Sequence, residues 1–347
     1  MRKDVAGGSG IAAIDFADTR LNTTYGATEV VLCTLNGAPY VLEQLNSILT
    51  QTIAIDRISI FDDCSTDDTM ASILRWRTSL PANVADKVHV DVNSGNIGYA
   101  KNFCQAIARA TGDVIFLCDQ DDVWEKNKAS TLLSLMMRTR SDMVFSDGSI
   151  IDDQDRIAAR ASVLETYGLG KRDIDAFSGI AFKTLVKRNC INGASMAVRR
   201  EAALAALPLP CDMPHDYWFA IWCSLRGGIA GTSERLYRYR QHGRNAIGIG
   251  DHSLLSDCIS AWHHARVPRQ RELRIWTAIA ERLLAINDSE ALALALEKRA
   301  WLRDVLDESK GSIGRLKSIV KSLLDGKYRR LSPDRAVLRD LFALLQS

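Results

Sequence analysis

Asp113-Val114-Ile115-Phe116-Leu117-Cys118-Asp119-Gln120-Asp121-Asp122-Val123-Trp124 sets an apolar run of strand length directly against a cluster of carboxylates. A short apolar run bounded by polar punctuation reads as a buried strand. Asp119, Asp121 and Asp122 fall within four residues. Like charges this close raise each other's pKa unless a cation relieves them. A hard divalent ion with oxygen ligands does so, and Mg²⁺ or Mn²⁺ is ordinarily held by a few carboxylates plus substrate phosphates. The alternative is a plain acidic loop after a strand. Val123-Trp124 argues against a purely solvated one, because it would bury the base of the loop.

The same alternation extends on both sides of this stretch. Glu29 to Thr34 reads as a buried strand, followed by helical spacing over 38–51. Arg57 to Asp62 is a second strand, and Ser65 is positioned to cap the helix that carries Met70, Ile73, Leu74 and Trp76. Val88 to Val92 is a third, with a helix over 98–110 behind it. After Asp122 come a helix over 126–138 and the run Met143 to Ser146. Strands separated by helices imply right-handed βαβ crossovers and a mostly parallel sheet flanked by helices, an α/β fold. Ligands bind at the carboxyl edge of such sheets. Here that edge would collect Thr34-Leu35-Asn36, Asp62-Asp63, Asn93 to Asn96 and the Asp119–Asp122 cluster. Further on, Asn192 to Val198 reads as a turn into a strand, 216–226 as a helix, and Leu236 to Arg240 as an edge strand. From 251 onward the pattern is helical only. The chain therefore divides into a leader over 1–27, expected to be flexible, an α/β domain over 28–250 and a helical extension over 251–347.

Composition narrows the class. The chain has 347 residues with 47% apolar side chains, enough for a sizeable core, and a formal charge of +2, which argues against a dedicated nucleic-acid binder. None of its eight cysteines forms a C-x-x-C pair, so free thiols in a reducing compartment are expected. No run reaches the ~18–20 apolar residues of a membrane span, and a cytoplasmic protein is the default. Lys310 to Arg330 holds seven Lys/Arg against Asp325 alone, with Ile313, Leu316, Ile319, Val320, Leu323 and Leu324 largely on one helical face. Such a helix either lies on an anionic membrane surface or packs on the main domain with its charges in water.

Other clusters carry chemistry. A carboxylate at Asp62 or Asp63 can accept from a nucleobase N–H or a ribose hydroxyl, and can equally belong to a turn and cap. Asn93-Ser94-Gly95-Asn96-Ile97-Gly98-Tyr99-Ala100-Lys101 opens a helix, a place that suits anions, though it is no Walker motif. Asp216, beside His215, could take a proton from a hydroxyl or simply complement a helix dipole. Arg238, Arg240, His242 and Arg244, with Gln241 and Asn245, form a basic strip. It would stabilise a diphosphate, supply His242 as a metal ligand, or lie solvated in a loop.

Taken together these segments resemble the family-2 glycosyltransferases of the GT-A fold, close to the bacterial rhamnosyltransferase-like branch, over about residues 28–250. The resemblance rests on Cys33-Thr34-Leu35-Asn36-Gly37, Phe61 to Thr69, Asn96 to Phe103, Phe116 to Trp124, His215-Asp216 and Tyr239 to Asn245. It implies that Thr34, Leu35 and Asp62 contact base and ribose. Asn36, Asp63, Asn96, Lys101 and Arg240 would join the donor site. Asp121 and Asp122 would handle ribose, Mn²⁺ or Mg²⁺ and diphosphate, with Asp119 in support and His242 as a further metal ligand. Asp216 would be the catalytic base. Leu35 stands where many relatives carry tyrosine. Lys101 stands where many carry arginine, which removes a bidentate phosphate contact. The implied reaction is inverting sugar transfer, with dTDP-L-rhamnose the first donor and UDP-hexoses next. The implied acceptor is a surface polysaccharide such as O-antigen or capsule, free or lipid-linked, made at the inner face of the plasma membrane. Two rivals are a nucleotidyltransferase making nucleotide sugars, whose glycine-rich, Arg-containing first loop is absent from Thr34 to Pro39, and a non-catalytic carbohydrate-binding protein with a degenerate site.

Overall fold

The computed structural model describes residues 25–158, 162–210, 213–243, 266–286, 288–333 and 336–345. Most of the leader, and Cys211, Cys258, Arg244 and Asn245, lie outside the described residues. Eight strands form one sheet. They are β1 (Thr28–Thr34), β2 (Arg57–Asp62), β3 (Val88–Val92), β4 (Val114–Asp119), β5 (Val123–Trp124), β6 (Met143–Ile151), β7 (Met196–Arg199) and β8 (Ile229–Arg240). Their order across the sheet is β3-β2-β1-β4-β7-β6-β8-β5. The first half follows the expectation: β3, β2, β1 and β4 are mutually parallel. The second half is mixed, with β4–β7, β7–β6 and β8–β5 antiparallel and β6–β8 parallel. The whole is thus a mixed sheet. Leu236–Arg240 is not the edge strand expected of it; it is the end of β8, held between β6 and the two-residue β5.

Alternation along the strands builds cores on both faces. Val30, Leu32, Ile58, Ile60, Phe116 and Val144 face one core, and Val31, Phe61, Ile115, Leu117 and Phe145 face the other. Helices α1 (Val41–Leu49), α2 (Thr69–Ser79) and α4 (Lys128–Thr139) contribute to the first core. Helices α3 (Tyr99–Arg109), α5 (Phe177–Lys187) and α6 (His215–Leu225) contribute to the second. Strands apolar on both sides need this double cover. Register then aligns the carboxyl ends: Thr34 pairs with Asp62, and Cys33 with Asp119.

The tail comprises α7 (Arg266–Leu283), α8 (Ser289–Leu306), α9 (Gly311–Leu324), α10 (Lys327–Leu331) and α11 (Ala336–Leu345). It joins the second core through Trp276, Ile279, Leu283, Trp301, Ile319 and Leu331. A buried ionic network ties these helices together. Arg269 meets Asp340 through two bonds of 2.8 Å each and Glu272 at 2.7 Å. Lys298 meets Glu272 at 2.7 Å, and the Tyr328 hydroxyl donates to Asp340 at 2.6 Å.

Helix α9 faces the opposite way from a helix that hides its apolar stripe. Arg315, Ser318, Ile319 and Ser322 are buried, whereas Ile313, Leu316, Val320, Leu323 and Leu324 are 44 to 84% exposed. Ile319 therefore leaves the apolar group in which the sequence places it and points to the core.

Burial by itself would raise the Glu272 carboxyl, but Lys298 and Arg269 outweigh it and hold the group at about 2. A folded pKa below the unfolded one contributes stability above the ordinary carboxylate range, lost as pH falls toward that value. Glu272→Ala leaves two buried cations short of a partner, and a loss of about 3 kcal/mol is expected at neutral pH. Urea unfolding of both proteins at pH 7 and pH 3 checks this, with the gap narrowing at the lower pH.

Candidate active site

The aligned strand ends open onto a cavity of about 240 Å³. Thr34, Leu35, Asp63, Asp119 and Asp121 line it from the sheet edge, and Asp216 and His215 from the start of α6. Five sequence-derived candidates and the expected base therefore converge, although Asp216 lies 97 residues beyond Asp119 in the chain.

Internal hydrogen bonds shape the rim. The Thr34 hydroxyl and the Ser65 hydroxyl both donate to Asp62 Oδ1, at 2.6 and 2.5 Å, and the Ser65 amide donates to Asp62 Oδ2 at 2.8 Å. Asp62 is buried behind Thr34 and does not line the cavity. Ser65 is spent on this bond and caps no helix; α2 starts at Thr69 after Asp68, without a side-chain cap bond. Asp63 accepts from the Ile97 and Gly98 amides at 2.8 Å each and from Asn93 Nδ2 at 2.9 Å, which fixes the loop before α3. Asn36 takes a left-handed backbone and accepts from the Thr66 amide at 2.8 Å, so it braces the rim from outside.

Gln120 clasps the backbone of Leu35 in both directions, accepting from its amide at 2.9 Å and donating to its carbonyl at 3.0 Å. Its side chain lies across Gly37, where an added Cβ would sit 2.1 Å from Gln120 Oε1. The sequence shows Gln120 only as a spacer among aspartates.

The acidic cluster is divided. Asp121 Oδ2 lies 3.0 Å from His242 Nε2, and the imidazole stacks on Tyr40 with centroids 4.7 Å apart. Asp122 is 1% exposed. Its Oδ1 accepts the Arg240 amide at 3.1 Å, and Oδ2 has no hydrogen-bond partner among the described residues. Burial, then Asp121 and Asp119, push its carboxyl well above the usual range. Asp119 is raised to about 7 by burial and by Asp121 and Asp216, against the pull of Lys128. Lys128 is fully buried on α4, beneath the cluster. Its ammonium donates to the Ala194 carbonyl and faces the rings of Trp124 and Tyr237 at 4.0 and 4.9 Å. Burial lowers it to about 8, against the opposing pull of Cys118, Asp122 and Asp119.

The donor set decides what an ion could use. Among the described residues no group of three or more His, Cys, Asp or Glu is arranged to hold a metal. One carboxylate and one imidazole, Asp121 and His242, do fit a divalent ion whose remaining ligands come from a diphosphate. Asp122, enclosed under the Arg240 backbone, does not line the cavity, and its second carboxylate oxygen faces no hydrogen-bond donor among the described residues.

Three more expectations shift. The Arg240 guanidinium is 1% exposed and held by Glu43 at 2.7 Å, Asp155 at 2.6 Å and the Asp121 carbonyl at 2.9 Å, so it is a clamp inside the protein and not a wall of the cavity. Asn96 is exposed, accepts the Gly98 amide at 3.0 Å and lies outside the cavity lining. Lys101 lines a neighbouring cavity.

A model of glycosyl transferase family 2 matches residues 29–204, from β1 through β7. The chain belongs to glycosyl transferase family 2. Among its relatives, the uncharacterized glycosyltransferase alr2836 of Nostoc sp. (strain PCC 7120) is 28% identical over 62% of this chain, and the match spans 65% of that protein's length. TuaG of Bacillus subtilis (strain 168), named for teichuronic acid biosynthesis, is 28% identical over 61% of this chain and 77% of its own. Staphylococcus aureus TarS 1-349, solved in complex with UDP-GlcNAc, superposes with a TM-score of 0.52 at 17% identity, covering 86% of this chain and 92% of that one. That likeness carries the fold, a GT-A-like one. Asp216 and His242 of this family 2 chain lie beyond the matched segment, and it is the folded geometry that brings them to it.

At Asp216, Oδ1 accepts the Tyr217 amide at 2.6 Å and Asn189 Nδ2 at 3.2 Å. Burial raises its carboxyl to about 6 despite these bonds. His215 stacks on Phe103 at 4.1 Å, and burial pushes it down to about 3, so it is neutral. An added Cβ at Gly193 would sit 2.9 Å from His215 Nε2, which is why the turn before β7 needs glycine there. Tyr99, Asn189 and Asn192 also line the cavity, and no spacing rule in the sequence points to them.

Lys128→Met leaves Asp119 and Asp122 without their buried counter-charge. The expected loss is about 3 kcal/mol of stability at pH 7, where Lys128 is still mostly charged, and less at pH 5, where the carboxylates are protonated. Chemical unfolding at the two pH values checks it.

Proposed function

We propose that this chain is an inverting glycosyltransferase with Asp216 as general base, residues 28–250 providing donor binding and catalysis. The observation that carries the proposal is that Asp216, set at a helix N-terminus with its carboxyl raised to about 6, shares one cavity with Asp119, Asp121 and the Thr34–Leu35 edge. In this reading Thr34 and Leu35, braced by Asp62 and Asp63, receive the nucleoside. Asp119 and Asp121 face the ribose and diphosphate. The acceptor oxygen attacks the anomeric carbon as its proton passes to Asp216. The bond from that carbon to the diphosphate breaks, and the electron pair leaves with the nucleoside diphosphate. A Mn²⁺ or Mg²⁺ ion held by Asp121, His242 and diphosphate oxygens would neutralise the leaving group's charge.

The donor is proposed to be a dTDP- or UDP-sugar. The rhamnosyltransferase-like motifs favour dTDP-L-rhamnose, and the ligand of the TarS structure makes UDP-sugars the next set to try. The acceptor is proposed to be a surface polysaccharide or its lipid-linked precursor, in keeping with the teichuronic acid name of the Bacillus relative.

Asp216→Asn is expected to keep donor affinity and lose transfer by at least a hundredfold, on the scale of general-base catalysis. Transfer by the parent should rise with pH through about 6 and level off above it, because the base must be unprotonated. Equal activity in the variant sinks the assignment. Asp121→Ala should abolish the donor's thermal stabilisation in Mn²⁺, and chelator should do the same to the parent.

Residues 310–330 are proposed to rest on the inner face of the plasma membrane. No helix among the described residues is long and apolar enough to cross a membrane. The outward stripe of α9, with exposed Lys317 and Lys321 beside it, supports surface contact. Large apolar side chains insert at the headgroup boundary while lysines meet anionic lipid. Leu316→Glu with Leu323→Glu should weaken co-sedimentation with phosphatidylglycerol vesicles several-fold. Unchanged binding, or equal binding to phosphatidylcholine vesicles, removes this part of the reading.

A further inference from the structure

Beside the cavity of Asp216 lies a second one of about 800 Å³, and the two share Tyr99. Their chemistries are opposite. The first is lined by Asp63, Asp119, Asp121 and Asp216. The second has no carboxylate among its described lining residues. It has two cations from different elements, Lys101 in the first turn of α3 and Arg271 in α7. Much of the remaining lining is apolar: Ile97, Leu207, Leu209 and the buried Met213. Arg271 also bonds the Tyr99 side chain, so a cation stands where the two cavities meet.

We infer that the second cavity is an acceptor site for a sugar carried on a prenyl-type diphosphate, an anionic head joined to an apolar chain. The inference deepens the glycosyl-transfer proposal and rests on it. A neutral glycan would bring no anion to the two cations and would leave the apolar wall in water. A nucleoside diphosphate has no chain to cover that wall. A lipid diphosphate uses both. Guanidinium and ammonium groups make charge-assisted bonds to phosphate oxygens, and apolar burial holds the chain. The shared Tyr99 sets the direction. The sugar enters the first cavity, where Asp216 can take its hydroxyl proton. The diphosphate stops at Lys101 and Arg271, and the chain runs along Leu207, Leu209 and Met213. Lys101 thus has an anionic partner, but on the acceptor side and not the donor side.

Isothermal titration of the full chain tests this with three probes: a glucosyl diphosphate bearing an undecyl chain, the undecyl glucoside that lacks the diphosphate, and UDP. Lys101 and Arg271 are both exposed, so Lys101→Gln with Arg271→Gln is expected to fold, and its unfolding midpoint provides the control. The double variant should bind the chain-bearing diphosphate at least tenfold more weakly, about 1.4 kcal/mol. Its affinity for the undecyl glucoside and for UDP should not change. Equal binding of the chain-bearing diphosphate by variant and parent overturns the inference. Complete displacement of that probe by UDP also overturns it, because the probe would then occupy the donor cavity. If neither UDP nor dTDP, titrated in the same way, binds the parent, the glycosyl-transfer proposal fails, while the diphosphate-dependent difference still reads the second cavity.

Discussion

Asp119, Asp121 and Asp122 repel one another at the end of β4, and each is answered from a different part of the chain. Lys128 on α4 supplies a buried positive charge below the cluster. The Arg240 amide binds Asp122, and the His242 ring meets Asp121. Both contacts depend on the end of β8 lying beside β5, with Val123 opposite Arg238 and Trp124 opposite Tyr237. The Arg240 guanidinium secures that crossing by reaching Glu43 on α1 and Asp155 beyond β6. Relief of one local repulsion thus draws together segments more than a hundred residues apart.

The parts of this arrangement that were legible in the sequence are local ones. β1 to β4 are continuous apolar runs closed by polar residues, and parallel pairing aligns their ends, so the meeting of Thr34, Asp63 and Asp119 follows from pattern and handedness. The mixed half of the sheet has no such signal. β5 is two residues long, and the middle of β8, Gly231-Thr232-Ser233-Glu234-Arg235, lacks an apolar run. Its burial comes from neighbours distant in sequence. Lys128 and Arg240 were illegible for a related reason. Long cations are rarely buried unless paired, and nothing near them in sequence announces the partner. Asp62 and Ser65 show that residues suited to a ligand or a cap can be consumed by each other when a strand end and a loop meet.

Periodicity has a similar limit in the tail. The spacing of Ile313, Leu316, Val320, Leu323 and Leu324 establishes a common face but not where that face looks. The interior of the tail is already filled by Trp276, Trp301 and an ionic network, so α9 meets it with serines, an arginine and Ile319. A helix packed by its polar side presents its apolar side outward. The second cavity teaches the same lesson at smaller scale, since Lys101 sits on the helix expected of it but looks into different space.

The bulged pairing of β6 with β8 has a consequence for how faithfully the molecule is made. Between Ser146 and Gly148 the partner residues jump from Thr232 to Arg235 to Tyr237, and only then does the ladder run evenly to Ile151 opposite Arg240. A slip of one residue exchanges the two faces of a strand. Downstream of this bulge, such a slip would turn the Arg240 guanidinium outward and carry His242 away from Asp121. The irregularity at Ser146–Gly148 therefore acts as a counting device that fixes which residues of β8 and the segment after it reach Asp122 and Asp121.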